Sequence, residues 1–392
     1  MQGKTFTMEL AGKTLTIETG KYCEQAGGSA FVRMGDAVVM VNATVAKQPR
    51  DGVDFLPLSI EFEEKMYSVG KIPGGYIKRE GRPSEKAILC SRLIDRPLRP
   101  LFPKGFYNDI QVIATVLSMD PDVQPEILGM IGSSAALAMS EAPFAGPTGA
   151  VAVGMVDGKY IINPTLEERH KSKLNLTVAG TKDAVMMVEA GANELSEKEM
   201  LDAILTAHEE VKKIVAFIEG IAAECGKPKM EVNIYHPDEA FTELVREYAR
   251  DKVEWQLDTF ERKVREERSE QVKQEVIEHF AEEYPDSASD IDMILYNLTK
   301  EIVRDKIINR KIRPDGRAQD EIRPIWSEVG ILPRVHGSGV FTRGQTQVMT
   351  IATLAPLSEG QELDGIDDVT FKRYMHQSVS YTHLRAHETD SY

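Results

Sequence analysis

The stretch that decides the fold occurs twice in this chain of 392 residues. GSAFVRMGDAVVMVNATVA, residues 28–46, aligns without gaps on GSGVFTRGQTQVMTIATLA, residues 337–355, at an offset of 309 positions. Shared hydrophobic alternation alone would be generic for strands. Glycines in register indicate the same turn geometry used twice, because only glycine adopts positive φ at little cost. The chain is therefore predicted to contain two copies of one α+β unit.

The segment between the two copies has a different character. From Asp238 to about Asn309 it is highly charged, and its apolar residues recur at helical spacing. The stretch Glu283-Tyr284-Pro285-Asp286 breaks this pattern once. We interpret the segment as an all-helical domain whose charges form its solvated face. The second copy has far fewer residues than the first, so the sequence is expected to be a fragment of a longer protein.

Composition limits the classes of partner and compartment. The formal net charge of −15 argues against attraction of the whole chain to nucleic acid or anionic lipid. No window approaches the ~20 consecutive apolar residues that span a bilayer, and the N-terminus has no signal-peptide pattern, so a cytoplasmic protein is predicted. Cys23, Cys90 and Cys225 are too far apart for CxxC spacing, which leaves little support for disulfides or a zinc site.

Local signals place several elements in the first copy. Asp157-Gly158 supplies the two positive-φ positions of a tight hairpin turn. Ser196 and Glu199 form a capping box ahead of a long amphipathic helix. A further helix is predicted from Glu85, and another from Ser133 after a glycine break. Together these signals predict an α+β fold class.

Positive charge is concentrated in residues 71–104, here called the basic segment. It carries nine Lys and Arg residues against three Asp and Glu residues. Pro73-Gly74-Gly75 predicts an exposed turn, Tyr76 offers a flat face to a base, and Lys78 and Arg79 offer phosphate contacts. This combination is typical of a loop that binds single-stranded nucleic acid, and nothing in it selects RNA over DNA. The alternative is an ordinary solvated surface.

Arginines continue the basic segment beyond this loop. If the helix from Glu85 runs on to Arg96, then Arg92 and Arg96 share a face, and Pro97 and Pro100 are expected to end that helix. The alternative role is intramolecular salt bridges to Glu80, Glu85 and Asp95. The candidate nucleic-acid contacts are Tyr76, Lys78, Arg79, Arg82, Arg92, Arg96 and Arg99.

Two longer stretches resemble a known family. RPDGRAQDEIRPI, residues 313–325, followed by HGSGVFTRGQTQ, resembles the opening of the RNase PH family of phosphorolytic exoribonucleases. In the first copy, IPGGYIKREGRPSEKAILCSRLIDRPLRPLFP and NPTLEERHKSKLNLTVAG resemble the bacterial members that carry two such copies in one chain. The resemblance extends to about Asp367 and includes the helical segment.

The resemblance implies four segments. They are a first RNase PH-like domain at 1–236, an all-helical linker domain at 237–311, the truncated start of a second RNase PH-like domain at 312–368, and a tail at 369–392. The tail resembles translated sequencing-adapter read-through and is expected to be foreign. The Tyr76 loop resembles the channel loop of the family, with Ile77 in place of a second aromatic residue and Lys78 in place of an arginine, so weaker binding is expected.

The resemblance also implies an activity. Inorganic phosphate would attack the 3′-terminal phosphodiester of single-stranded RNA and release nucleoside diphosphates in mRNA degradation, and the reverse reaction would be polyribonucleotide nucleotidyl transfer. A homotrimeric ring, a Mg²⁺ cofactor, KH and OB-fold modules, and RNA-decay proteins as partners are further implications. No membrane association is expected.

The first copy is predicted to be non-catalytic. In the active copy of the family, two aspartates and a lysine precede a strand that ends in Val-Ala-Gly-Thr, whereas residues 173–181 here read KLNLTVAGT. We therefore assign no catalytic residues and no metal ligands, expect no turnover by this chain, and interpret the acidic run at 362–368 as a solvated loop. Gly132-Ser133-Ser134 resembles the phosphate-binding turn of the family and is predicted to open a helix. The alternative for Ser133 and Ser134 is close helix packing.

Two other functions stay open. One is a catalytically silent RNA-binding ring subunit of an exosome-like assembly. The other is an unrelated α+β metabolic enzyme that binds a small phosphate ligand at residues 132–134.

Overall fold

The chain divides into two units in the computed structural model, which describes residues 3–50, 52–53, 55–74, 76–232, 234 and 236–376. The first unit comprises residues up to 235 together with 362–371, and the second comprises most of the remainder. Residues 362–368, predicted to belong to the second copy, and residues 369–371, predicted to belong to the tail, are thus part of the first unit. Most of the predicted foreign tail, residues 377–392, lies outside the described residues.

The first unit contains a six-stranded sheet built around the hairpin of the first copy. Its order is β1-β2-β3-β4-β6-β5, and every neighbouring pair is antiparallel except the parallel pair of β5 and β6. The strands are β1 (Lys4–Leu10), β2 (Lys13–Thr19), β3 (Gly28–Met34), β4 (Ala37–Val45), β5 (Leu58–Glu64) and β6 (Ile110–Ser118).

A four-stranded antiparallel sheet completes the first unit, in the order β10-β9-β7-β8. Asp157 and Gly158, with φ of 50° and 73°, join β7 to β8, which confirms the predicted hairpin turn. The strands are β7 (Gly149–Val156), β8 (Lys159–Ile162), β9 (Leu174–Gly180) and β10 (Val185–Ala192).

Four helices cover these sheets. α2 packs on β3 and β4 of the larger sheet and on β7 and α4, so it lies at the centre of one apolar core. The predicted capping box is confirmed, because the Ser196 hydroxyl accepts from the Glu199 N–H at the start of α4. The helices are α1 (Glu85–Leu98), α2 (Pro125–Met139), α3 (Leu166–Lys171) and α4 (Glu197–Cys225).

Three helices, each with an apolar stripe, form a separate core in the second unit: α5 (Glu239–Gln256), α6 (Arg262–Phe280) and α7 (Ala288–Ile308). The expectation of a single break is wrong, because residues 257–261 separate α5 from α6. That break, LDTFE, contains no glycine or proline, so the sequence carries no strong signal for it.

The repeated stretch adopts the same hairpin twice. β12 (Gly337–Arg343) pairs with β13 (Thr346–Ala352), and β11 (Ile325–Val329) extends the sheet. Gly28 faces Ala43 in the first hairpin and Gly337 faces Ala352 in the second, which preserves the register. The turn glycines Gly35 and Gly344 have φ of 58° and 61°. The predicted duplication is therefore confirmed at the level of turn geometry.

The two hairpins differ in burial. Most residues of β3 and β4 are buried beneath α2, whereas β12 is mostly half-buried and β13 is almost entirely exposed. Two short strands follow, β14 (Gln361–Leu363) and β15 (Thr370–Lys372), and they pair with each other. None of the described helices is both long and apolar enough to cross a membrane.

Candidate nucleic-acid interface

The Tyr76 loop projects from the first unit between β5 and α1. The Tyr76 side chain is fully exposed, and Ile77 beside it is 77% exposed. Lys78 has φ of 52°, a left-handed conformation. Within the described part of the chain, Lys78, Arg79 and Arg82 have no hydrogen-bond or ion-pair partner. Gly75 of the predicted turn lies outside the described residues. The loop thus presents an aromatic ring and three free cations to solvent.

A cleft of about 290 Å³ lies beside this loop, and Arg79 and Arg82 belong to its lining. Apolar Phe62 and Met66 also line it, together with Lys65 and four carboxylates, those of Glu63, Glu64, Glu80 and Asp364. Glu80 was expected as a salt-bridge partner for the arginines, but its carboxylate instead accepts a hydrogen bond of 3.1 Å from the Met66 N–H. Free guanidinium groups beside apolar surface suit a ligand that carries both phosphates and flat rings.

The acidic loop, residues 362–368, docks against the basic segment. Lys71 Nζ donates to Asp364 Oδ1 at 2.7 Å and to the Gly365 carbonyl at 3.2 Å, and Lys86 pairs with Asp367. Ile366 between the two aspartates is 4% exposed and joins the apolar core. The interpretation of this run as a solvated loop is therefore wrong, because two ion pairs and one buried side chain hold it. Lys71 and Lys86 have intramolecular partners.

Ionisable groups beneath the acidic loop have shifted pKa values. Burial raises the pKa of the Glu64 carboxyl, whose Oε2 accepts from the Ser84 hydroxyl at 2.5 Å. Burial alone would lower the pKa of the Lys86 ammonium, but Glu126 and Asp367 outweigh it and raise that pKa. Burial also raises the pKa of the Cys90 thiol, which makes a nucleophilic thiolate unfavourable.

Helix α1 positions the arginines that follow the loop. It begins after Ser84, whose hydroxyl accepts from the Ala87 N–H at 2.9 Å, and it ends at Leu98. The helix thus ends between Pro97, which lies inside its last turn, and Pro100, as predicted. Arg92 and Arg96 lie one turn apart on an exposed face, as predicted.

The three arginines of this region have different environments. Among the described residues Arg92 has no partner, whereas Arg96 pairs with Glu189 of β10. Arg99 donates to both carboxylate oxygens of Asp95, at 2.8 and 2.6 Å, and to the carbonyls of Leu56 and Leu58, each at 3.0 Å. Arg99 therefore forms an intramolecular salt bridge, which was the alternative to a nucleic-acid contact, and its hydrogen bonds connect α1 to β5. The candidates left free are Tyr76, Lys78, Arg79, Arg82 and Arg92.

Ser133 and Ser134 do not open a helix. They lie in the second half of α2, which begins eight residues before Ser133, and both are completely buried. The Ser133 hydroxyl donates to the Gly129 carbonyl at 2.6 Å, and the Ser134 hydroxyl accepts from the Thr148 N–H at 2.7 Å. The helix-opening prediction is wrong because Gly132 is a packing residue: a Cβ there would lie 2.6 Å from Val41 Cγ2. Close packing accounts for both serines.

The described residues do not form a metal site. No group of three His, Cys, Asp or Glu side chains among them is arranged to hold a metal ion. Residues 173–181, which include β9, contain no aspartate where the resemblance places two aspartates and a lysine in an active copy. We therefore assign no Mg²⁺ ligand within the described chain.

Three family models match the chain in sequence order. Residues 11–143 match domain 1 of the 3′ exoribonuclease family, and residues 146–210 match its domain 2. Residues 240–318 match a model described as polyribonucleotide nucleotidyltransferase, RNA binding domain. The sequence analysis interpreted the charges of that helical segment as a solvated face and assigned it no contact with RNA; its 15 Lys and Arg are outnumbered by 19 Asp and Glu.

Curated relatives match almost the whole chain. A polyribonucleotide nucleotidyltransferase of Clostridioides difficile strain 630 is 58% identical over 376 residues, which are 95% of this chain and 54% of the relative. One of Heliobacterium modesticaldum is 56% identical over 373 residues, 95% of this chain and 53% of the relative. The chain thus spans about half the length of these relatives.

A solved structure of rice Rrp46 is similar at 15% identity with a TM-score of 0.43, over 56% of this chain and 94% of that one. The chain belongs to the RNase PH family of 3′ exoribonucleases, within the group of polyribonucleotide nucleotidyltransferases.

Proposed function

We propose that this chain supplies the RNA-guiding part of a phosphorolytic 3′-to-5′ exoribonuclease, a polyribonucleotide nucleotidyltransferase of mRNA degradation. The observation that carries the proposal is the exposed Tyr76 loop, with free Lys78, Arg79 and Arg82, on a domain that matches the 3′ exoribonuclease family. The whole protein would use inorganic phosphate as attacker and release nucleoside diphosphates. Homotrimer formation, Mg²⁺ dependence, a cytoplasmic location and RNA-decay partners are parts of the same proposal.

The loop suits single-stranded RNA for physical reasons. A strand without a partner exposes both its phosphates and its base faces, so cations and an aromatic ring can bind it together. Lys78, Arg79 and Arg82 need not break an internal ion pair to contact phosphates, since they have none among the described residues. Arg92 on the exposed face of α1 can add a fourth contact. Binding should weaken with salt at a log–log slope of about −0.7 per phosphate contact.

The triple variant Tyr76→Ala, Arg79→Ala, Arg82→Ala is expected to bind fluorescent oligo(A) about tenfold or more weakly than the parent, because it removes a stacking face and two phosphate contacts. Its salt dependence should also be shallower. Fluorescence anisotropy across a salt series measures both quantities. The control is Lys159→Ala, which removes an exposed cation without a described partner in the smaller sheet. Equal losses in the control and the triple variant would refute the loop assignment.

Turnover tests the assignment of the chemistry. Incubated with poly(A), phosphate and Mg²⁺, this chain is expected to release no ADP, because β9 has no carboxylate and no other described residue is assigned to catalysis. Chromatography of the reaction measures ADP directly. ADP that accumulates in proportion to the purified chain would show that a catalytic group has been missed.

The two alternative functions, a silent ring subunit and an unrelated metabolic enzyme, differ in their support. A silent ring subunit predicts the same RNA binding, and sequencing the gene of the whole protein would discriminate it, because an active second copy requires two aspartates and a lysine before its Val-Ala-Gly-like strand. The unrelated metabolic enzyme relied on residues 132–134 as an anion site. Burial of Ser133 and Ser134 removes that support.

A further inference from the structure

The acidic loop, residues 362–368, lies at the tip of a short hairpin. β14 and β15 pair with each other, and residues 364–369 connect them. Within the acidic loop Ile366 is buried, Gly365 is half-buried and the other residues are exposed. A single apolar side chain therefore anchors the acidic loop to the first unit, and its charges must supply the remaining contacts.

Two ion pairs complete the docking of the acidic loop. Lys71 pairs with Asp364, and Lys86 pairs with Asp367. The side chains of these four residues are between 36% and 56% exposed. Ion pairs with this much access to solvent contribute little to stability, and salt screens them. A polyanion that offers phosphates to the same lysines can therefore displace the acidic loop.

Lys86 keeps other partners when Asp367 leaves. Glu126 and Glu64 both interact electrostatically with the Lys86 ammonium group. One carboxylate oxygen of each, Glu126 Oε2 and Glu64 Oε1, is buried and has no hydrogen-bond partner in the described part of the chain. Burial raises the pKa of the Glu64 carboxyl, and the charge of Asp367 raises that pKa further. Docking thus places a like charge beside Glu64, and undocking does not leave Lys86 as an unpaired charge.

The acidic loop also borders the proposed RNA interface. Asp364, Gly365 and Ile366 line the same cleft as Arg79 and Arg82. A strand whose phosphates bind Arg79 and Arg82 approaches Asp364, and like charges repel. Phosphate and carboxylate oxygens accept the same charge-assisted hydrogen bonds from an ammonium group. A phosphate can therefore replace Asp364 as the partner of Lys71.

We propose that the acidic loop is an internal competitor of single-stranded RNA at the basic segment. In the docked arrangement, Asp364 and Asp367 occupy Lys71 and Lys86. In the RNA-bound arrangement, phosphates contact Lys71, Lys86 turns to Glu64 and Glu126, and the acidic loop leaves the cleft. The inference rests on the proposed function for RNA as the ligand, and it adds a regulatory contact within the chain.

Releasing the acidic loop should tighten RNA binding. Ile366→Ser removes the apolar anchor without a change in charge. It is expected to bind fluorescent oligo(A) about fivefold more tightly than the parent, which corresponds to a loop that is docked about four-fifths of the time. Asp364→Asn together with Asp367→Asn should tighten binding at least as much, because this change removes both ion pairs. Fluorescence anisotropy at low salt measures each affinity.

Two neighbouring residues provide matched controls. Leu363→Ser changes an exposed apolar residue of the same hairpin, and Asp368→Asn removes an exposed charge that has no described partner. Both should leave the affinity within about twofold of the parent, and far-UV circular dichroism checks the fold of each variant. If Asp368→Asn tightened binding as much as the double aspartate variant, general charge repulsion would explain the effect, and the internal competitor would be refuted.

Thiol labelling shows directly whether RNA displaces the acidic loop. Ile366→Cys in a Cys23→Ser, Cys225→Ser background places a thiol at the buried anchor position, and the remaining Cys90 is itself buried. Saturating oligo(A) is expected to raise the rate of maleimide labelling at position 366 at least twofold, because RNA favours the released arrangement. A labelling rate that RNA leaves unchanged or lowers would overturn the inference.

The outcomes distinguish this inference from the proposed function. If the parent binds oligo(A) and the Ile366 and double aspartate variants bind no more tightly, the internal competitor is refuted and the Tyr76 loop assignment stands. If neither the parent nor any variant binds oligo(A), the proposed function fails and the inference fails with it. Tighter binding by the loop variants that is abolished by adding Tyr76→Ala, Arg79→Ala and Arg82→Ala would support both.

Discussion

Replacing Gly28 by alanine is expected to destabilise the first unit by about 3 kcal/mol or more, at the upper end of the cost of overpacking a core. A Cβ at Gly28 would lie 2.0 Å from the Ala136 carbonyl oxygen and 3.1 Å from the Ser140 N. Both are backbone atoms of the end of α2, which is buried between two sheets and cannot retreat. The glycine is therefore needed for close approach of strand and helix.

The repeat provides a matched control for this prediction. Gly337 occupies the equivalent position in the second hairpin, but a Cβ there would meet only Ala352 Cβ at 3.4 Å, an ordinary contact. Gly337→Ala should change stability within about 1 kcal/mol, because the strand tolerates alanine at least as well as glycine. Hydrogen exchange of α2 amides and urea unfolding measure the difference. Equal effects of the two substitutions would show that the clash at Gly28 relaxes without cost.

Local sequence signals account for the elements that were predicted correctly. The Asp157-Gly158 turn, the Ser196 capping box and the repeated hairpin each depend on residues within a few positions of one another. The start of α2 was misplaced for the opposite reason. Gly129 and Gly132 have the sequence character of a helix break, but they are helical because Phe62 and Val41 press against them from distant strands. Such tertiary demands override local propensity.

The candidate interface shows the same limit. Exposure of Tyr76 and of the cations next to it follows from a Pro-Gly-rich turn, which is a local signal. The partners of Lys71 and Arg96 are 293 and 93 residues away in sequence, so no spacing rule reveals them. The acidic loop looked solvated because its apolar anchor, Ile366, is a single residue among acids. Ion pairs between residues far apart in sequence therefore determine which basic residues are left without an intramolecular partner.

Arg99→Leu is expected to lower the free energy of unfolding of the first unit by about 2 kcal/mol. The change removes the donors to both Asp95 oxygens and to the carbonyls of Leu56 and Leu58. The Asp95 side chain is only 24% exposed, so its carboxylate regains little hydration. The expected loss is modest because the Arg99 side chain is 42% exposed and water screens part of its ion pair with Asp95.

Arg92, on the helix that ends just before Arg99, provides the contrast, because it is exposed and has no described partner. Arg92→Leu should leave stability within about 0.5 kcal/mol, since it breaks no structural contact, while weakening RNA binding and making its salt dependence shallower. Urea unfolding by circular dichroism and anisotropy with oligo(A) give the two readouts for both variants. If Arg99→Leu weakened RNA binding with no loss of stability, Arg99 would be an RNA contact. The hydrogen bonds to Asp95 and β5 would then contribute nothing measurable to the fold.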